Sequence, residues 1–175
     1  AVPDLGPTIV GFSDYAGEAF DARVYLRWKR NTSLNDDEQY SSGLALCKAK
    51  VPPLDGLSVP RGELTGLCLQ SRLVLVVAAA LQRLDVQPVS AVLLCDSQCS
   101  INAVDTRRKM KPYFQHRVSE IRENLGLIRK YCPTEDIQYV ESKLNPSDLS
   151  TRADCKLAAM GPGSFHQVGP VFLSS

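Results

Sequence analysis

Two aspartates, Asp14 and Asp96, each follow a short apolar segment of the kind that forms a strand. The segment before Asp96, residues 91–95, is apolar throughout, which is typical of a strand buried on both faces. In open α/β sheets, ligands bind at the carboxyl ends of strands, because the chain opens there into loops and helix N-termini. Asp96 alone is explained as well by a helix cap, and Asp14 by a turn. Taken together, the two aspartates indicate a shared site.

Two further acids occupy special positions, Glu63 in the first turn of a predicted helix and Asp148 near the start of another. Each could be only a partner of its helix dipole. Clustered carboxylates repel one another and are costly to bury unpaired, so a shared site needs cations. Oxygen ligands favour Mg²⁺ or Mn²⁺ over zinc. Two such ions about 4 Å apart can activate water and stabilise the leaving oxygen in phosphodiester cleavage.

The elements that would position these acids follow from the apolar pattern. Residues 8–14, 20–28 and 43–51 predict three antiparallel strands, the second half-buried with Asp21, Arg23, Tyr25 and Arg27 on its outward face. Residues 61–84 predict a buried helix that leads to the strand at 91–95. A strand, helix, strand passage is normally a right-handed parallel crossover, which would place Asp14 and Asp96 side by side.

The rest of the chain completes an α/β domain. A helix from about residue 97, a helix over 113–131, a short strand over 137–140 and a short helix opening at Asn145 are predicted. The expected architecture is a mixed five-stranded sheet, three antiparallel strands then two parallel, flanked by helices. We expect residues 1–175 to form a single domain, with residues 161–175 as a loop-rich tail.

A basic segment follows the predicted helix after Asp96 and contains Arg107, Arg108, Lys109 and Lys111. Such a segment can hold nucleic-acid phosphates without reading sequence, and it can equally be a solvated loop. The alternative track for a nucleic acid is the outward face of the helix over 113–131, with Arg117, Arg122 and Arg129.

The whole-chain totals exclude some classes of protein. A net charge of +1 over 175 residues gives no global case for nucleic-acid binding. The longest apolar run, residues 73–81, is too short to span a bilayer, so no membrane partner is expected. The six cysteines form no C-x-x-C pair, and Cys47, Cys68 and Cys95 lie in apolar stretches where a free thiol packs as a small hydrophobe. We therefore expect a reduced, cytoplasmic protein.

An ordered set of short sequences resembles one known family. The set is FSD at 12–14, VYLR at 24–27, PRGEL at 60–64, CDSQ at 95–98, RVSEI at 117–121, NPSDLSTR at 145–152 and the closing GPGSFHQVGPVFL. Each is weak alone, but their order over nearly the whole chain resembles the ribonuclease H domain of Bel/Pao-type retrotransposon polyproteins.

The resemblance implies a ribonuclease H fold with a D-E-D-D metal site, whose carboxylates fall on Asp14, Glu63, Asp96 and Asp148. It also implies two Mg²⁺ or Mn²⁺ ions, and Ser97 and Gln98 near the backbone of the substrate. The implied reaction is cleavage of the RNA strand of an RNA/DNA hybrid during reverse transcription. The implied partner is a reverse transcriptase domain in the same polyprotein.

The chain departs from the family pattern beside the site. Tyr15-Ala16 replaces a small residue followed by serine, Gly62 replaces an apolar residue, and Ala103 replaces a tryptophan. The loop before Asp148 has no histidine, and surface or packing roles are expected for His116 and His166. None of these changes removes a metal ligand.

Two other functions fit the same sequence. One is a related metal-dependent nuclease or strand-transferase that acts on DNA. The other is a host-recruited or inactive domain that binds nucleic acid or protein, although retention of all four acids argues against decay.

Overall fold

A computed structural model describes residues 6–29, 40–147, 167 and 169–173. Its centre is a five-stranded sheet in the order β3-β2-β1-β4-β5. The strands are β1 (Thr8–Tyr15), β2 (Phe20–Lys29), β3 (Tyr40–Lys50), β4 (Ser90–Cys95) and β5 (Glu135–Tyr139). The first three pair antiparallel, and β4 pairs parallel with β1 and with β5. The predicted mixed sheet is confirmed.

In the part of the chain that the structure describes, the sheet is accompanied by α1 (Val59–Arg83), α2 (Gln98–Asp105) and α3 (Pro112–Ile128). Helices α1 and α3 each have a proline in the first turn, where the missing N–H costs no hydrogen bond. Short 3₁₀ turns cover Ser142–Leu144 and Val171–Leu173. The last short helix that was predicted from Asn145 falls largely outside the described residues.

Helix α1 is the centre of the main core. It packs against one face of the sheet with α3 behind it, and Leu67, Val74 and Ala78 are fully buried there. By length and composition α1 could cross a membrane, but 72% of its most apolar stretch is buried inside the protein. Such burial is typical of a helix in the core of a domain. Each large apolar side chain that is buried there stabilises the fold by about 1.5–3 kcal/mol.

The opposite face of the sheet carries a second, smaller core. Its buried members are Val10, Phe12, Tyr25, Leu94, Val140 and Leu173. Strand β2 is therefore covered on both faces from Phe20 to Tyr25, and the predicted half-buried strand is wrong. The covering residues come from distant parts of the chain, which strand periodicity does not reveal.

The C-terminal residues that are described contact this second core. Arg27 donates from Nε to the carbonyl oxygen of Leu173 at 2.7 Å, and the Phe172 ring lies 6.4 Å from that of Phe12. The predicted loop-rich tail is otherwise outside the described residues, so the domain boundaries stay a prediction.

The cysteines follow the expected pattern only in part. Cys68, Cys95 and Cys132 are buried free thiols, but Cys47 is exposed on the edge strand β3. The expectation that Cys47 packs as a small hydrophobe is wrong, because β3 has a neighbouring strand on one side only.

Two departures from the family pattern meet in space. A Cβ atom on Gly62 would lie 2.1 Å from the Tyr15 ring, so the ring occupies the volume of a side chain at position 62. The Tyr15 hydroxyl donates to the carbonyl oxygen of Leu57 at 2.9 Å, which fixes the ring there. The large residue at 15 and the absent side chain at 62 are therefore one coupled change.

We predict that this coupling reverses the effect of one substitution. Gly62→Ala should destabilise the protein by about 1–3 kcal/mol because the methyl group overlaps the Tyr15 ring. In a Tyr15→Ala background the same change should stabilise by about 0.5–1 kcal/mol through helix propensity. Gly126→Ala on α3 is the matched control, since nothing lies within 4 Å of its Cβ position. Urea unfolding of Gly62→Ala, Tyr15→Ala, the double variant and Gly126→Ala measures these changes in the free energy of unfolding. The prediction is contradicted if Gly62→Ala changes stability in the same direction in the unaltered protein and in the Tyr15→Ala background.

Candidate functional site

The pairing of β1 with β4 brings two of the predicted acids to one edge of the sheet. Ser13 on β1 is the parallel partner of Cys95 on β4, so Asp14 and Asp96 are the next residue on each of the two neighbouring strands. Both are partly exposed. The predicted parallel crossover is therefore confirmed.

Glu63 reaches the same edge from α1. The helix begins at Val59, two residues earlier than predicted, so the placement of Glu63 in its first turn is wrong and Glu63 lies just after that turn. Its Oε2 accepts a 2.6 Å hydrogen bond from the Ser97 hydroxyl. The same hydroxyl oxygen accepts from the backbone N–H of Ser100 at 3.3 Å and so caps α2. Ser97 thus links Glu63 to the residue after Asp96. The predicted substrate contacts of Ser97 and Gln98 stay predictions; Ser97 is buried and already bonded, whereas Gln98 is exposed.

The pKa of Asp96 is shifted by its surroundings. Burial raises the pKa of Asp96, and the charges of Asp14 and Glu63 raise it further, while a 2.8 Å hydrogen bond from the Ser142 hydroxyl opposes the shift. Like charges raise a carboxyl pKa because they disfavour the ionised form. Over the part of the chain that the structure describes, no three Asp, Glu, His or Cys side chains are close enough to hold a metal ion as they stand.

Asp148 lies outside the described residues, but the segment before it is anchored at the same edge. Asn145 donates from Nδ2 to the Ser13 carbonyl oxygen at 2.7 Å, and its Oδ1 accepts from the Ser147 N–H at 3.1 Å. Asn145 and Ser147 are fully buried. The chain is thus held against β1 up to the residue before Asp148.

A buried ion pair beside the site was missed by sequence reasoning. Arg23 donates from Nε to Asp21 Oδ2 at 2.7 Å, and both side chains are buried. Asp21 is the direct partner of Asp14 across β1 and β2. Burial raises the pKa of Asp21 to about 6 against the opposing effect of Arg23. The alternating pattern placed both residues on a face that was expected to meet solvent.

Gln70 is a second missed residue. Its Nε2 donates to the Ser13 hydroxyl at 2.8 Å and to the Leu94 carbonyl oxygen at 3.0 Å, so this buried amide joins α1 to both strand ends. A Cβ atom on Gly11 would lie 2.7 Å from Gln70 Oε1, so glycine there makes room for it. The feature of the sequence that could have revealed this residue is a glutamine within the otherwise apolar stretch of α1.

The basic residues divide into free and engaged groups. Arg107, Arg108, Lys109 and Lys111 are exposed, and within the described ranges their side chains form no ion pair. In the alternative track, Arg122 on α3 instead donates to the carbonyl oxygens of Val104 and Thr106, and Arg129, just after α3, pairs with Glu135 at 2.5 Å. Two of the three arginines of the alternative track are therefore engaged, and the third, Arg117, approaches Glu120 at 3.9 Å. His116 is exposed, and His166 is not among the described residues.

Comparison with known families identifies the chain. The profile of the Pao retrotransposon-like RNaseH-like domain matches residues 5–97, just over half of the sequence. The chain belongs to this family. The match contains three of the four predicted site acids, all except Asp148. No curated protein matches the sequence significantly.

Several ribonuclease H domains are among the solved structures with a similar fold. LC11-RNase H1, isolated from compost by a metagenomic approach, matches with a TM-score of 0.51 at 10% identity, over 89% of this chain and 99% of its own. The N-terminal RNase H domain of Rv2228c from Mycobacterium tuberculosis matches with a TM-score of 0.48 at 14% identity, over 79% and 86%. LC11-RNase H1 in complex with an RNA/DNA hybrid matches with a TM-score of 0.40 at 12% identity, over 79% and 88%. The ribonuclease H fold expected for the domain is confirmed.

The buried carboxyl of Asp21 predicts a pH effect on stability. Because its pKa is raised from 3.8 to about 6, the folded protein keeps a proton that the unfolded chain has lost between these values. Stability from this group therefore falls as pH rises from about 4 to about 6.

Asp21→Asn removes the titration and serves as the comparison. The free energy of unfolding of the unaltered protein minus that of the variant should fall over this pH range, measured by urea unfolding at each pH. A difference that rises with pH would mean that attraction to Arg23 outweighs burial.

Proposed function

We propose that this domain is a metal-dependent endonuclease that cleaves the RNA strand of RNA/DNA hybrids during retrotransposon reverse transcription. One observation carries the proposal: the pairing of β1 with β4 brings Asp14 and Asp96 to one sheet edge, and the Ser97 hydroxyl, next to Asp96, bonds to Glu63 at 2.6 Å. Family membership makes ribonuclease H chemistry the natural use of such an edge. A neighbour of the same fold, LC11-RNase H1, has been solved with an RNA/DNA hybrid, which supports the same substrate here.

The donor set fits a hard divalent cation. The candidate ligands are carboxylates only, and burial together with the nearby charges of Asp14 and Glu63 raises the pKa of Asp96, which a bound cation would counteract. Asp14, Glu63, Asp96 and Asp148 would hold Mg²⁺ or Mn²⁺, two ions in the full proposal. Bound there, the ions would supply an activated water and stabilise the leaving oxygen.

The surrounding residues would keep the carboxylates oriented. Ser97 holds Glu63, and Ser142 donates to Asp96. Asn145 fixes the approach to Asp148 by its bond to the Ser13 carbonyl oxygen. Fixed ligands matter because loss of such supporting bonds typically costs 10- to 100-fold in metal affinity or activity.

The partners follow from the same proposal. The exposed residues Arg107, Arg108, Lys109 and Lys111 would contact phosphates of the hybrid. A reverse transcriptase domain in the same polyprotein would generate the hybrid, and the reaction would take place in the reducing cytoplasm.

Asp96→Asn is predicted to lower the cleavage rate by at least about 100-fold, because it removes a ligand charge from a nearly isosteric side chain. Labelled RNA/DNA hybrid, DNA duplex and RNA duplex should be incubated with Mg²⁺, and only the RNA strand of the hybrid should be cut. Ser142→Ala is the milder companion variant, since it removes only the hydrogen bond to Asp96. Wild-type rates in a folded Asp96→Asn protein would contradict the metal site, and cleavage of DNA duplex would favour the alternative nuclease.

Divalent metal is predicted to stabilise the folded domain even without substrate, because the site exists only when the chain is folded. At ten times the dissociation constant, Mn²⁺ should add about 1.4 kcal/mol, which is about 3–6 °C in melting temperature. The double variant Asp14→Asn/Asp96→Asn should show no such shift. Its melting temperature without metal should be no lower than that of the unaltered protein, since carboxylate repulsion is relieved. Equal shifts in both proteins would place metal binding elsewhere.

A further inference from the structure

Two arginines from different helices converge on one tyrosine ring. The guanidinium carbon of Arg61 on α1 lies 4.9 Å from the centroid of the Tyr113 ring, and that of Arg117 lies 5.5 Å from it. Tyr113 is fixed by a 2.7 Å hydrogen bond between its hydroxyl and that of Thr65. We call Arg61, Tyr113 and Arg117 the Tyr113 patch.

The cations of the Tyr113 patch are poorly neutralised. Among the described residues, Arg61 forms no ion pair. Arg117 approaches only Glu120, at 3.9 Å, and both oxygens of Glu120 already accept from Arg72. The Nε of Arg117 is buried and has no hydrogen-bond partner.

Attraction to the ring offsets only part of this cost. A guanidinium over an aromatic face gains about 0.5–1 kcal/mol at exposed sites, whereas two like charges around one ring repel each other. The solvent-facing N–H donors of Arg61 and Arg117 are therefore suited to an anion with several oxygens, whereas the buried Nε of Arg117 is out of its reach. Arginine pairs especially well with phosphate because its planar fork donates two parallel hydrogen bonds.

The Tyr113 patch and the candidate site share helix α1. Arg61 precedes Glu63 by two residues, about 3 Å along the helix axis but on a different side of the helix. Lys111, which precedes α3, is two residues before Tyr113. The patch is therefore formed where the end of the basic segment 107–111 meets the beginning of the helix that carries Glu63.

We infer that the Tyr113 patch binds the sugar-phosphate backbone of the nucleic-acid substrate next to the point of cleavage. The inference rests on the proposed function for the identity of the substrate, a hybrid duplex. Arg61 and Arg117 supply the phosphate contacts, and Tyr113 holds the two side chains in position. Contacts of this kind are independent of base sequence and release counterions, so they act on affinity and its salt dependence.

The test measures binding separately from cleavage. Fluorescence anisotropy of a labelled RNA/DNA hybrid is recorded in EDTA between about 50 and 200 mM KCl. Arg61→Gln/Arg117→Gln should raise Kd about tenfold and reduce the slope of log K against log salt by about 2, one for each phosphate that is no longer neutralised. Arg61→Lys/Arg117→Lys should retain the slope, because it keeps both charges.

A matched control removes the same charge from the opposite ends of the two helices. Arg83→Gln/Lys130→Gln should leave Kd and the slope unchanged, since Arg83 lies in the last turn of α1, Lys130 follows the end of α3, and both are exposed. Arg107→Gln/Arg108→Gln/Lys109→Gln tests whether the basic segment extends the same track. In Mg²⁺, the patch variant should raise the KM for hybrid with little change in kcat.

The two hypotheses fail separately. Hybrid binding that depends on the Tyr113 patch, without any cleavage in Mg²⁺, would sustain the patch and reject the nuclease. Cleavage by the unaltered protein, with unchanged Kd and slope in Arg61→Gln/Arg117→Gln, would reject the patch and leave the nuclease. Equal losses in the patch variant and the control would show a general charge effect and overturn the inference, as would no hybrid binding by the unaltered protein.

Discussion

Repulsion among the carboxylates at one edge of the sheet is the physical constraint that the rest of the fold must satisfy. The parallel pairing of β1 with β4 places Asp14 and Asp96 at the same sheet edge, and α1 adds Glu63. Such an arrangement costs free energy in the absence of a cation, so the rest of the fold must hold it in place. The long buried helix α1 and the two cores on opposite faces of the sheet supply that stability.

The support beneath the acids is polar rather than apolar. Gln70 donates to the Ser13 hydroxyl, and Asn145 donates to the Ser13 carbonyl oxygen. The side chain and the backbone of the residue before Asp14 are therefore both held by hydrogen bonds. The Asp21–Arg23 pair lies on the neighbouring strand β2, where Asp21 is the direct partner of Asp14. Hydrogen bonds and ion pairs have a directional geometry that apolar packing lacks. They therefore suit a site in which the metal ligands must keep a fixed orientation.

Local sequence patterns predicted the elements well and the contacts between distant segments poorly. The strand ending at Cys95, the parallel crossover and the long helix came from periodicity and from the right-handed crossover rule. The two-sided burial of β2 did not, because the second face is covered by Val140 and Leu173, whose positions no local pattern encodes. The Asp21–Arg23 pair was assigned to solvent for the same reason.

The candidate site divides in the same way. Residue type and position at strand ends predicted Asp14, Glu63 and Asp96, but their orienting partners Ser142, Asn145 and Gln70 required the folded structure. Tyr15 and Gly62 looked like two separate anomalies in the sequence, and only their contact shows that one accommodates the other. Arg61 was overlooked because a lone arginine carries no local signal.

The bond between Arg27 and the Leu173 carbonyl oxygen joins residues 146 positions apart. During synthesis, strand β2 leaves the ribosome long before the residues that complete its second face. Contacts of such high sequence separation carry a large loop-closure cost and form late in folding. Until Leu173 arrives, Phe12 and Tyr25 remain incompletely covered, which makes the nascent domain prone to association through that face. We therefore expect the packing of Leu173 on this face to lower the tendency of the newly made chain to associate.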